Sequence, residues 1–177
     1  LTDVTGVQTC ALPICEKPIE KDKLERIIEA GRLAPSACNA QPWKFIIVTE
    51  PDLLEKLAEA SSAKLLGMNG FVKEAPVQIV IIRENANFTS TIGGSIKRKD
   101  YSLFDIGIAA ENICLQAESE GIGSCILGWF DEMMVRKTLD VPGSKRVELI
   151  ITLGYSLNGK REKRRKPKEI TVSYNRY

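Results

Sequence analysis

Ala34-Pro35-Ser36-Ala37-Cys38-Asn39-Ala40-Gln41-Pro42-Trp43 is the hinge of this 177-residue chain. Upstream, Leu24, Ile27, Ile28 and Gly31 fall on one helical face, which predicts a helix over residues 21–33. Downstream, Phe45-Ile46-Ile47-Val48 predicts an apolar strand over 45–49. The two prolines stop the helix and keep the connection extended, because each fixes its own φ and restricts the residue before it. Ser36, Asn39 and Gln41 sit between them and offer groups that both donate and accept hydrogen bonds.

The elements on either side predict an α+β fold. Thr49-Glu50-Pro51-Asp52 reads as a helix start, and Leu53, Leu54, Leu57, Ala58 and Leu65 continue that helix to about Gly67. Pro76 to Ile82 is a strand apolar on nearly both faces. Residues 84–101 form a long polar loop, as readable as a lid over a cofactor as it is as a surface excursion. Leu103 to Glu120 is the longest helix, with Gly121 at its left-handed C-terminal position. Its apolar arc is wider than a surface helix needs, as burial at a dimer interface would explain. A short strand at Ser124–Gly128 follows, then a helix capped by Asp131 that runs to about Leu139, a turn at Val141–Gly143, and a core strand at Val147–Gly154. Ile170, Val172 and Tyr174 alternate like an edge strand. This order implies helices covering a central sheet. There is no internal repeat and no linker, so residues 16–177 read as a single domain. Residues 1–15 lack charge apart from Asp3, lack clear periodicity, and read as a foreign or disordered segment, with a genuine edge strand or arm as the other reading.

Composition narrows the chemistry. The chain is 44% hydrophobic and 27% charged, ordinary for a globular protein. It has no histidine, which removes Ser-His-Asp and Cys-His catalysis and most catalytic zinc sites. Its five cysteines form no CxxC pair, which argues against a disulfide framework or a metal knuckle and points to the reducing cytoplasm. No apolar run is long enough for a membrane helix. Residues 160–168 carry seven basic and one acidic residue, against 18 basic and 22 acidic elsewhere. Without interleaved aromatics this tract suits a single phosphate better than a nucleic-acid strand.

The Pro35–Gln41 hydroxyl and amide groups suit a flat heteroaromatic with a mixed hydrogen-bonding edge. On spacing alone they equally describe a helix-to-strand connection. The stretch from Leu33 to Phe45 closely resembles the flavin-contacting segment of the nitroreductase family, and the resemblance extends from about Lys17 to about Lys168. It implies a mostly antiparallel sheet flanked by helices, an intertwined homodimer, and FMN as cofactor. It also implies NADH or NADPH as reductant, with hydride equivalents passing to electron-poor small-molecule acceptors such as nitroaromatics or quinones. No specific nucleic acid and no membrane are expected as partners.

Residue by residue, the resemblance assigns Pro35, Ser36, Asn39 and Gln41 to the flavin, contributed in the dimer from the opposite subunit. Cys38 falls where the substrate pocket meets the ring. Leu127 and Gly128 match the segment that runs along the ring, and Lys163 and Arg165 match a Lys-x-Arg pair that binds the FMN phosphate. No side chain is assigned a catalytic role, because the flavin carries the chemistry. The family's opening Arg-Arg-Ser-x-Arg-like motif has no counterpart, since no basic residue precedes Lys17. A flavin-binding relative without catalysis, in a regulatory or storage role, is the alternative.

Overall fold

A computed structural model describes residues 14–15, 17–62, 69–85, 100–157 and 165–177. The expected loop of residues 84–101 therefore lies mostly outside the described residues, as do Leu65, Gly67 and Lys163.

The strands are β1 (Ile14–Cys15), β2 (Trp43–Val48), β3 (Val77–Arg83), β4 (Gly123–Leu127) and β5 (Arg146–Ser156). The helices are α1 (Lys21–Arg32), α2 (Pro51–Ser61), α3 (Tyr101–Ser119), α4 (Glu132–Thr138) and α5 (Lys168–Thr171). Every described strand pairing is antiparallel. β5 is the hub: β3 and then β2 lie on one edge, and β4 and β1 pair the other.

The two-sided apolar pattern of β3 sorts its side chains into two cores. Val77, Ile79 and Ile81 join Ile27, Ile106 and Ile113 under α1 and α3. Val80 and Ile82 join Leu57, Ala58 and Val135 under α2 and α4. The result is a three-layer α+β domain with the sheet in the middle. The register shifts between Ile81 and Ile82, which face Leu149 and Val147, so Glu148 is the extra residue of a bulge. Glu148 pairs there with Arg83 at 2.9 Å.

Helix ends follow their sequence signals. The Asp100 carboxylate accepts the Ser102 N–H at the start of α3, and the Asp131 carboxylate accepts the Met134 N–H at the start of α4. Gly121 takes φ +73°, and the Ile122 N–H returns to the Ala117 carbonyl at 2.8 Å, closing α3. Gly31 lets α1 press onto α3, since a Cβ there would lie 2.6 Å from Ile113 Cγ1.

Two expectations need correction. The second helix stops at Ser61, short of Gly67: Ser62 turns to ψ 115°, and its N–H and hydroxyl both reach back to the Glu59 carbonyl. The Asn69 side chain satisfies the Ser61 carbonyl that this leaves open. The expected edge strand at Ile170, Val172 and Tyr174 is instead the one-turn helix α5, after which the chain is extended at Val172 and bends at Tyr174–Asn175, where Asn175 takes φ 64°. Pro167 starts that turn, with the Ile170 N–H on its carbonyl, and Ile170 and Tyr174 are exposed. Alternation specifies a strand only where a partner strand exists, and none pairs this segment among the described residues.

Candidate functional site

α1 delivers the chain to the loop. The Leu33 N–H bonds the Glu29 carbonyl, Ala34 is buried, and Pro35 emerges exposed. Ser36 is extended (φ −144°, ψ 155°), and Ala37–Asn39 form a single tight turn. Within four residues, Cys38 (φ 53°), Asn39 (φ 52°) and Gln41 (φ 47°) all take left-handed backbone. A non-glycine residue there costs roughly 1–2 kcal/mol. Such strain persists only where surrounding contacts over-determine it, and it concentrates at functional sites.

Those contacts are present. The Ser36 hydroxyl oxygen accepts the Gln41 backbone N–H at 3.0 Å. The Asn39 carbonyl of its side chain accepts the Gln41 amide at 3.0 Å. The Trp43 N–H closes on the Gln41 carbonyl at 2.8 Å, around the buried Pro42. From α3, Asp105 Oδ1 accepts the Ala37 N–H at 3.0 Å. Three neutral polar side chains are thus fixed on an exposed, rigid loop, with Cys38 exposed among them.

The sequence reading passes over Asp105. Its signal is the buried stripe of α3, where Ile106, Ala109, Ala110, Ile113, Cys114 and Ala117 carry the apolar pattern and a carboxylate stands with them. On the other side, Leu103, Phe104 and Ile108 are exposed, at 47%, 59% and 40%. The wide apolar arc therefore has one face in the core and one left outward in the single chain.

β4 runs back along α3, so α3 supports both the loop and β4. Leu127 ends β4, buried and paired with Ile150. Gly128 follows on open ground, with no atom within 4 Å of a Cβ built on it. Trp129 is 63% exposed beside it. Lys163 lies outside the described residues, and Arg165 is exposed at the start of the C-terminal tail. The structure thus links the loop and the β4 end through one helix and places Arg165 on a separate segment.

A charged clamp fixes the exit of β5, from which the basic tract departs. The Tyr155 hydroxyl donates to Glu20 and accepts from Lys23 Nζ at 3.1 Å. Lys17 Nζ stands 4.5 Å from the centroid of the Tyr155 ring. The Tyr155 hydrogen bond, then the Glu20 backbone N–H and the two lysines, hold the Glu20 carboxyl at about 2. Arg26 grips Glu120 through two bonds, of 2.7 and 2.9 Å, and holds that carboxyl at about 2 as well. Burial pushes the Cys114 thiol up to about 11, which suits a packing role.

An apolar cleft of about 510 Å³ lies elsewhere, between Pro18, Ile19, Leu24, Leu54 and Val77, and no loop residue lines it. Among the described residues no group of three acidic, cysteine or histidine side chains could hold a metal, and no helix is long and apolar enough to cross a membrane.

Known proteins share this architecture. A model described as "Nitroreductase family" matches residues 16–155. An oxygen-insensitive NADPH nitroreductase of Helicobacter pylori is 28% identical over 178 residues, covering 86% of this chain and 85% of the relative. The crystal structure of a nitroreductase family protein from Clostridium novyi superposes with a TM-score of 0.76 at 30% identity, over 88% of this chain and 84% of that one. An FMN-dependent nitroreductase from Clostridium difficile superposes with a TM-score of 0.80 at 27% identity, over 100% of both chains.

Proposed function

The chain belongs to the nitroreductase family, and from that premise we propose that its FMN site is built from the strained loop, the end of β4 and the basic tract. The protein is an FMN-dependent, NAD(P)H-utilising oxidoreductase. When bound, FMN supplies the redox chemistry between NAD(P)H and an electron-poor acceptor such as a nitroaromatic or a quinone.

The observation that carries the assignment is the loop's backbone. Cys38, Asn39 and Gln41 hold left-handed conformations that benefit no core contact, since Cys38, Asn39 and Gln41 are exposed. They instead set Ser36, Asn39 and Gln41 in one fixed array, which suits a planar ring with alternating donors and acceptors. Pro35 and Pro42 keep that array from relaxing. Leu127 brings backbone to the same ligand, and Gly128 leaves room for a flat ring because no Cβ fills it. Cys38 faces the substrate. Lys163 and Arg165 hold the phosphate, with arginine able to make two parallel bonds to it.

A second copy completes the protein. Leu103, Phe104 and Ile108 on α3, with Leu33 beside the loop, form an apolar face that a homodimer covers. The loop then serves a flavin held mainly by the other subunit. Residues 16–177 act as one domain, and just before them Ile14–Cys15 pair with β5 as an edge strand, which favours the reading of that end of the N-terminal segment as a genuine edge strand over a foreign one. Cytoplasmic residence suits the free thiols of Cys38, Cys114 and Cys125.

Titrating FMN into the protein and into Asn39→Leu tests the site. The substituted protein should bind FMN at least tenfold more weakly and still fold, with a melting temperature lowered by only a few degrees, since Asn39 is exposed but its φ of 52° and its bond to Gln41 favour asparagine. Full FMN affinity and turnover in Asn39→Leu would remove the loop from the site.

A further inference from the structure

We propose that Asp105 is a positioning residue that holds the loop of residues 36–41 in its strained, ligand-ready conformation from the dimer-facing helix. The inference rests on the reading of that loop as part of the FMN site.

Asp105 is the one buried charged residue among the described residues, at 4% exposure. Its surroundings do not account for a charge. Oδ1 accepts the Ala37 N–H at 3.0 Å, and Oδ2 is buried with no hydrogen-bond partner. No cation pairs with it in any ion pair of the described residues. A half-satisfied buried carboxylate is unfavourable, and an apolar residue at this place in the stripe would pack without that cost. Residues that break a local rule for no gain in stability mark functional constraints.

What Asp105 secures is the first N–H of the turn that contains Cys38 and Asn39. The opening donors of a helical turn have no partner within the turn. The ties from Gln41 to Ser36 and to Asn39 are internal to the loop. The Asp105 bond crosses 68 positions of sequence and anchors that internally braced unit to α3. Phe104 and Ile108, on the outward face of the same helix, flank this anchor in sequence, so any reseating of α3 against a second copy moves the loop with it.

Three variants test this in the full chain. Asp105→Ala removes the acceptor. Asp105→Asn keeps an oxygen at Oδ1 and removes the charge. Ala37→Pro removes the donor and leaves Asp105 intact; Ser36 is already extended, as a residue before proline must be. Hydrogen exchange of residues 36–41 is measured in FMN-free protein, FMN affinity by titration, and bound-flavin geometry by visible circular dichroism. Asp105→Ala and Ala37→Pro should speed loop exchange at least tenfold, weaken FMN at least tenfold and alter the flavin dichroism, while exchange of the β3 and β5 amides stays as in the parent. Asp105→Asn should restore all three readouts to within threefold.

Unchanged loop exchange in Asp105→Ala and Ala37→Pro overturns the proposal. So does an Asp105→Asn variant as impaired as Asp105→Ala, because the charge rather than the bond would then matter. If Asp105→Ala does not fold, Ala37→Pro and Asp105→Asn decide the question alone. Faster loop exchange with unchanged FMN affinity in both Asp105→Ala and Asn39→Leu would leave Asp105 as the loop's anchor and refute the loop's place in the FMN site, so the two failures are distinct.

Discussion

Replacing Gly31 with alanine should destabilise the protein although it improves helix propensity. A Cβ at position 31 would lie 2.6 Å from Ile113 Cγ1, 2.8 Å from its Cδ1 and 3.4 Å from Phe45 Cε2. Carbon atoms settle near ~3.8 Å, so α1 and α3 must separate by roughly 1 Å or Ile113 must leave its rotamer. Ile113 is fully buried and β-branched, which leaves it little freedom to turn. Overpacking of this kind costs about 1–3 kcal/mol, against a gain of about 1 kcal/mol for alanine over glycine in a helix. With the contact at the tight end of that range, a net loss of about 1–2 kcal/mol follows. In a domain of this size that lowers the melting temperature by about 2–8 °C. Chemical denaturation of Gly31→Ala, Ile113→Val and the double variant checks the cause. Removing Cδ1 should return part of the loss, so the double variant should be more stable than the sum of the single effects predicts. Gly31 lies three residues before Ala34, so FMN affinity should fall with the helix shift. A Gly31→Ala protein as stable as the parent would refute the claim that close α1–α3 packing requires glycine here.

The remaining expectations concern phosphate, dimer and pH. Lys163→Ala with Arg165→Ala should weaken FMN far more than riboflavin, by about 1.5–3 kcal/mol for each charge-assisted bond lost, and equal weakening in titrations of the two ligands would dissociate the tract from the phosphate. Phe104→Lys should shift sedimentation toward monomer: a buried phenylalanine contributes about 1.5–3 kcal/mol, and a symmetric dimer loses two, so association should weaken by at least about a hundredfold. Glu20 and Glu120 are held near 2 in the folded chain, below the ordinary 4.5, so their contribution is complete above about 4.5 and is lost as pH falls toward about 2. Tyr155→Phe removes the first cause for Glu20, so urea unfolding across that window should depend less on pH than in the parent; an unchanged slope would exclude the clamp.

Much of this architecture was legible because it is written in local patterns. The two-sided apolar run ending at Ile82 could only be a central strand, and the Asp131 cap and the glycine at 121 mark helix ends through their own backbone chemistry. The unreadable parts depend on distant partners. α2 stops where Asn69, eight residues on, caps Ser61, which no periodicity records. Ile170, Val172 and Tyr174 alternate as a strand would, yet among the described residues nothing pairs them, and a proline-initiated turn forms instead. The loop's polar residues stood out in sequence, but not the left-handed backbone at Cys38 and Gln41, since neither residue type prefers it. Asp105 was hidden because a carboxylate in a helix reads as solvent-facing until its acceptor role on Ala37 is seen.

Anaerobic mixing of the FMN-loaded protein with NADH and with NADPH, followed in the flavin's visible absorbance, addresses the assigned activity directly. The band should bleach with at least one of the two nucleotides and return when a nitroaromatic or a quinone is added. Bound flavin that neither nucleotide reduces, or a chain that retains no FMN at all, would contradict an oxidoreductase built on this site.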